Sequence, residues 1–339
     1  MPEKLILSDG NPRYGLFDTP VKQINHQVFD YKTVFDKPAS SLAKHFHFNQ
    51  FHYVGLISED LIIGLAIVDL KLVSNAFVYF YSVKDKKFEQ NSFLQPLAFN
   101  TRFDNMPDNG MTHFRKGENA FYISAQDNPR SRHIKLSLAS GDFLEVSITE
   151  PQHFAPLALC TRTGYNGWTY TQKANALDVQ GVLKWRKKEY ELRSPHTLGG
   201  YDWSCGFMRS QTFWNWGSIS GQLGDGRRIG LNIAAGTNET GFTENVFWLD
   251  GVQHKIDMVD FNFDRNNILL PWKMHSFDSK LHLEFRPEGI REEKINALLI
   301  ASNFKQLFGR YYGELITNDG EKIQLDGQLG FAEDHYAKW

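Results

Sequence analysis

The chain has 339 residues, 41% of them hydrophobic and 14% aromatic, with 37 basic against 39 acidic side chains and a net charge of −2. Such a length exceeds one small module, and the apolar content suffices for a large core, which excludes a disordered chain. The near-neutral charge leaves no electrostatic footprint for a phosphate backbone, so no nucleic-acid partner is expected.

In chain order, the segment from Met1 to Asp9 lacks the basic cap and long apolar stretch of a secretory signal. The strongly apolar run from Leu61 to Leu70 contains Asp69 and falls far short of the roughly 20 residues that span a bilayer. A cytoplasmic protein without a transmembrane segment is expected. Pro38 to His47 reads as a short helix. The segments Phe51–Ser58 and Ile63–Ile67 read as strands, and His133–Leu138 and Leu144–Ile148 alternate apolar and polar residues around Ser140-Gly141, the pattern of a hairpin with one buried face. Cys160 and Cys205 have neither metal-knuckle spacing nor the density of a disulfide scaffold and read as reduced thiols. Further hairpins are expected at Asp225-Gly226, Asp250-Gly251 and Asn318-Asp319-Gly320, since tight turns with positive φ favour Asn or Asp followed by Gly. Glu292 to Phe304 reads as a second helix, with Ile295, Leu298 and Leu299 at helical spacing.

Three matches recur in order near half the chain length. Phe51–Ser58 aligns with Phe213–Ser220, Ile63–Ile67 with Ile229–Ile233, and Asn75–Phe77 with Asn245–Phe247, the added residues falling in loops where insertion is cheap. A repeat of about 165 residues built from antiparallel hairpins is the size of one up-and-down barrel. The expected fold is therefore all-β, two tandem antiparallel β-barrels with few short helices, 1–190 forming the first with an N-terminal extension and 191–339 the second, with exchange of strands between them left open. A single large β-sandwich is the alternative.

The stretch Gly200-Tyr201-Asp202-Trp203-Ser204-Cys205-Gly206, then Trp214-Asn215-Trp216, Gly224 to Asn232, Asn238-Glu239-Thr240, Glu244-Asn245 and the closing Glu333 to Trp339 resemble the domain of unknown function 2804 family over nearly the whole chain. That family is distantly similar to the AttH-like and carotenoid 1,2-hydratase (hydroxyneurosporene synthase) proteins. The resemblance implies tandem lipocalin-like (calycin-type) barrels and assigns no activity.

Candidate site residues cluster in the second half. Asp202, Trp203, Arg209, Trp214, Trp216, Asn232, Asn238, Glu239 and Glu244 lie between His196 and Trp248. Arg209 needs an acidic partner if it points inward, and Asp202 or Glu244 is expected to supply it, whether as a ligand anchor or as a structural salt bridge. Trp214 and Trp216 share one strand face and either wall a cavity, stack on a sugar or form plain core. Glu239 and Glu244 form an acid/base pair in a long loop, or serve as caps and turns. His45, His47 and His52 have no supporting Cys or carboxylate cluster, so no metal is expected. Gly217-Ser218-Ile219-Ser220-Gly221 has Ile where a nucleophile elbow needs Ser, and no Walker loop, dinucleotide fingerprint or zinc helix occurs, so no cofactor is expected.

The function these features favour is binding of an apolar or amphipathic small molecule, of lipid or isoprenoid type, with the second barrel as the specialised one. One alternative is a cofactor-independent hydratase, isomerase or cyclase in which Asp202 or Glu244 protonates a double bond while Trp203, Trp214 and Trp216 stabilise the cation. Another is a carbohydrate-binding module with those tryptophans exposed.

Overall fold

In the computed structural model, which describes residues 2–237, 241–296 and 300–339, the alternating segments become strands and the Gly-containing turns become hairpins. Ser140-Gly141 joins the antiparallel strands Arg130–Ser137 and Phe143–Thr149, and Asp225-Gly226 joins Gln211–Gln222 to Arg228–Ala235. Asp250-Gly251 links Val246–Leu249 to Val252–Lys255 with φ of 48° and 82°, both positive as a two-residue hairpin turn of the twisted kind requires. Asn318-Asp319-Gly320 closes the long hairpin of Ala301–Ile316 and Lys322–Lys338.

The strands form a 13-stranded and a 9-stranded antiparallel sheet, each curled like a half-barrel. In the first, Phe48–Ser58 starts a meander through Leu61–Asp69, Val73–Ser82 and Lys87–Pro96, and its other edge pairs with Lys188–Phe207, the last strand of that sheet. In the second, Gln211–Gln222 starts a meander through Arg228–Ala235, Val246–Leu249 and Val252–Lys255, and its other edge pairs with Lys322–Lys338, again the last strand. The strand order thus repeats, as tandem lipocalin-like halves require. The residue register does not. Gly55 faces Gly64 in the first sheet, whereas their sequence counterparts Gly217 and Gly230 face Ile233 and Ser220. The chain passes from one sheet to the other at 208–210, after Phe207, later than the 190/191 boundary read from the sequence.

The first expected helix is present as Ser41–His47, capped by Ser40, whose hydroxyl accepts from the Ala43 amide at 3.1 Å. The second is not a helix. Leu281–Asn296 pairs with Ala301–Ile316 as far as Asn296 opposite Ala301, and Leu298 and Leu299 lie outside the described residues. Hydrogen bonding on both edges of Ala301–Ile316 outweighs a helical spacing only a few residues long.

Apolar side chains fill the inner face of each sheet, with Val54, Leu65, Phe80 and Ile134 in the first and Ile219, Leu231, Leu307 and Ala332 in the second. The amino-terminal segment packs Leu5, Ile6, Ile24 and Phe29 on Phe48, Trp168 and Trp203. The two sheets meet through Tyr53, Tyr79 and Tyr81 of the first and Trp216, Phe308 and Phe331 of the second. Gly64 makes this possible, because a Cβ there would collide with the Tyr79 ring. No helix among the described residues is long and apolar enough to cross a membrane.

Candidate functional site

Four adjacent strands of the second sheet, Gln211–Gln222, Lys322–Lys338, Ala301–Ile316 and Leu281–Asn296, sort their side chains into rows by strict alternation. On the face toward the first sheet, Trp216, Glu333, Gln306 and Arg291 stand in one row and Trp214, His335, Phe304 and Glu293 in the next. On the inner face, Gly217, Ala332, Leu307 and Ile290 form an apolar row. Beyond it follow Asn215, Asp334, Lys305 and Glu292, and then Phe213, Tyr336, Asn303 and Lys294. One strip of sequence therefore builds two different environments back to back.

The face toward the first sheet is buried and ionic. Lys173, on strand Gly167–Trp185 of the first sheet, places its Nζ 2.7 Å from Asp202 Oδ2 and 2.7 Å from Glu244 Oε2. Asp202 belongs to the first sheet and Glu244 to the loop entering Val246–Leu249 of the second, so the ammonium clasps the two halves together. Burial alone would lower the Lys173 pKa, and the two carboxylates more than reverse this, holding it above the ordinary lysine value. Lys255 donates to the carbonyl oxygens of Thr243 and Asn245 at 2.8 and 2.6 Å and so fixes the backbone on both sides of Glu244. The Trp216 indole donates to Asn232 Oδ1 at 2.8 Å, the Asn232 amide donates to the Glu244 carbonyl oxygen at 2.8 Å, and Lys173 Nζ lies 5.4 Å from the Trp216 ring centre.

Next to this clasp, Glu333 accepts from Gln306 at 2.6 Å and from the Trp214 indole at 3.4 Å. Burial raises its pKa to about 7, against the opposing pull of Arg291, Trp214, Gln306 and Lys173. A carboxyl group in that range exchanges its proton near neutral pH. Arg291 is itself buried among Phe77, Tyr79 and Phe304 and donates to Gln90 at 2.6 Å. His335 shares a hydrogen bond of 3.0 Å with Ser302, and burial holds its pKa down near 3, so its ring is neutral.

The inner face opens into space instead. A cavity of about 330 Å³ is lined by Phe213, Arg265, Asn303, Asp334, His335 and Tyr336. A wider one of about 770 Å³ adjoins it through Asn303 and Tyr336. Asp334 is held there by the Asn215 amide at 3.2 Å and by Arg265 at 3.7 Å.

Of the residues singled out in the sequence, the structure brings Asp202, Trp216, Asn232 and Glu244 together around Lys173. Asp202 pairs with Lys173 and not with Arg209, because Arg209 lies in the 208–210 connection, half-buried beside Gly164, beyond the end of the strand that carries Asp202. Trp214 and Trp216 do share a face, the one turned to the first sheet and not the barrel interior. Trp203 is buried beneath the amino-terminal segment, where Tyr170 meets its ring edge-on at 6.1 Å. Asn238 and Glu239 lie outside the described residues. His45 and His47 are on the short helix, while His52 is buried on a strand with Thr112 3.0 Å away, so the three do not share one strand face. Sequence reasoning missed Lys173, Gln306, Arg291 and Glu333. The one available signal was the closing motif Glu333 to Trp339, whose alternate residues serve the two environments.

Trp216 packs edge-on against Phe331 at 4.9 Å and Tyr53 at 5.5 Å, so Trp216→Ala is expected to cost about 3–5 kcal/mol of stability, read as a lower urea midpoint. A loss below about 1 kcal/mol would show that the ring is not part of the junction core.

Among solved structures, the fold is similar to that of CghA with Sch210972, at a TM-score of 0.56 and 9% identity over 95% of this chain and 97% of the other. Kievitone hydratase from Nectria haematococca gives 0.47 at 9% identity, covering 86% and 88%, and an AttH protein from Nitrosomonas europaea gives 0.49 at 11%, covering 85% and 92%. A comparison with curated proteins finds no match. The model of the family Domain of unknown function (DUF2804) matches residues 1–339, and the chain belongs to that family.

Proposed function

We propose that the chain binds an apolar or amphipathic small molecule at the open end of the second half-barrel. The observation that carries this reading is the cavity of about 330 Å³ whose apolar wall is formed by the exposed rings of Phe213 and Tyr336. Ligand cavities of about this size combine apolar walls with a few polar contacts, here Asn303, His335 and the Asp334–Arg265 pair. CghA, of the same fold, is solved with the small molecule Sch210972, which supports the reading. A sugar-binding module is disfavoured, since none of the eight tryptophans is exposed.

The test is Phe213→Ala and Tyr336→Ala. Their side chains are 55% and 38% exposed, so each variant is expected to unfold within about 1 kcal/mol of the parent while binding of a fluorescent fatty-chain probe weakens about ten-fold. Unchanged binding in both variants would rule the cavity out.

Glu333 favours a second reading, cofactor-independent proton transfer at the buried junction of the two sheets, on the face opposite the cavity and independent of its occupant. In this reading Glu333 takes the role that the sequence offers to Asp202 and Glu244, because Lys173 holds both of those as ion-paired carboxylates.

A further inference from the structure

The rim of the second half-barrel carries two lysines, Lys294 and Lys338, that have no ion-pair partner among the described residues. One row in from the rim, Glu292, Lys305 and Asp334 stand on neighbouring strands, acid next to base, and Asp334 also meets Arg265. The two outermost rows place Lys294 beside Asn303 and Tyr336, and Lys338 beside Ala301 and Asn296. These residues line the cavity of about 770 Å³, whose wall, among the described residues, holds two lysines and no carboxylate. Among the described residues neither ammonium has a carboxylate within 4.0 Å. The lysines sit two strands apart, roughly 10 Å across the sheet, within reach of one another through their flexible stems. An unmatched pair of cations beside the rings of Tyr336 and Phe213 attracts an anion joined to an apolar body.

We infer that the ligand is an amphipathic anion, its carboxylate or phosphate head held by Lys294 and Lys338 with hydrogen bonds from Asn296 or Asn303. Its apolar body lies against Tyr336 and Phe213. The inference rests on the cavity reading above and adds the chemical class of the head group.

Titration calorimetry of the full chain with decanoate, decyl phosphate and decanol, which share one tail, separates the two claims. One or both anions are expected to bind about ten-fold or more tightly than decanol, and the tighter of the two identifies the head group as carboxylate or phosphate. The Lys294→Gln/Lys338→Gln variant is expected to lose that preference and to bind decanol like the parent, since neither lysine has a structural partner. Equal binding of all three probes, or a preference that survives the double substitution, would overturn the anionic head group while leaving the cavity in place. Failure of all three to bind would remove the cavity reading as well.

Discussion

Lys173→Met is expected to lower stability by about 3–5 kcal/mol, because it leaves the carboxylates of Asp202 and Glu244 buried and facing each other without the cation that joins them. Asp202→Asn and Glu244→Gln are expected to cost less, since each leaves Lys173 paired with the remaining carboxylate. The ranking follows from counting charges. The trio carries one positive and two negative groups, so losing the cation makes the imbalance worse, whereas losing either anion restores neutrality. Urea unfolding of the three single variants reads the order directly. A Lys173→Met variant as stable as either carboxylate variant would mean that the clasp does not hold the two half-barrels together.

Glu333→Gln is expected to stabilise the protein at pH 8 by up to about 3 kcal/mol and to change little at pH 4. The carboxyl of Glu333 has a folded-state pKa of about 7 against an ordinary value of 4.5, so the native state binds more protons than the unfolded one between those limits. Stability therefore falls as pH rises through that window, and the full penalty is present above it. An amide in place of the carboxyl has no proton to lose and should flatten that part of the pH profile. Gln306 and the Trp214 indole donate to different oxygens of Glu333, so the amide oxygen of the variant keeps one of these two hydrogen bonds. The difference between parent and variant, taken from thermal or urea unfolding at several pH values, isolates this one group. A difference that is the same at pH 4 and pH 8 would show that Glu333 titrates in its ordinary range.

Much of the architecture was legible in the sequence because its signals are local. Two-residue turns at Asp225-Gly226 and Asp250-Gly251 need only adjacent residues to declare themselves, and alternation in His133–Leu138 announces a half-buried strand without reference to its neighbours. The order of the three repeat matches foretold the shared strand order. Facing was harder. Alternation shows that Trp214 and Trp216 point the same way, but which way depends on pairing with Glu333 and His335, more than a hundred residues on, and on the first sheet packing against them. Separation along the chain also hid the partner of Asp202, which stands directly opposite on a neighbouring strand in Lys173, while Arg209 is near only along the chain. The misread helix at Glu292 to Phe304 has a related cause, since its spacing fits a helix locally and only the flanking strands decide otherwise.

The cavity is the centre of this account, and photo-crosslinking tests it most directly. A fatty-chain probe carrying a diazirine at the tail, irradiated with the full chain and mapped by peptide mass spectrometry, should label the segments around Phe213, Asn303 and Tyr336 together, with the label competed away by unmodified decanoate or decyl phosphate. Competed labelling confined to the first sheet, or to the exposed surface away from these three segments, would contradict it.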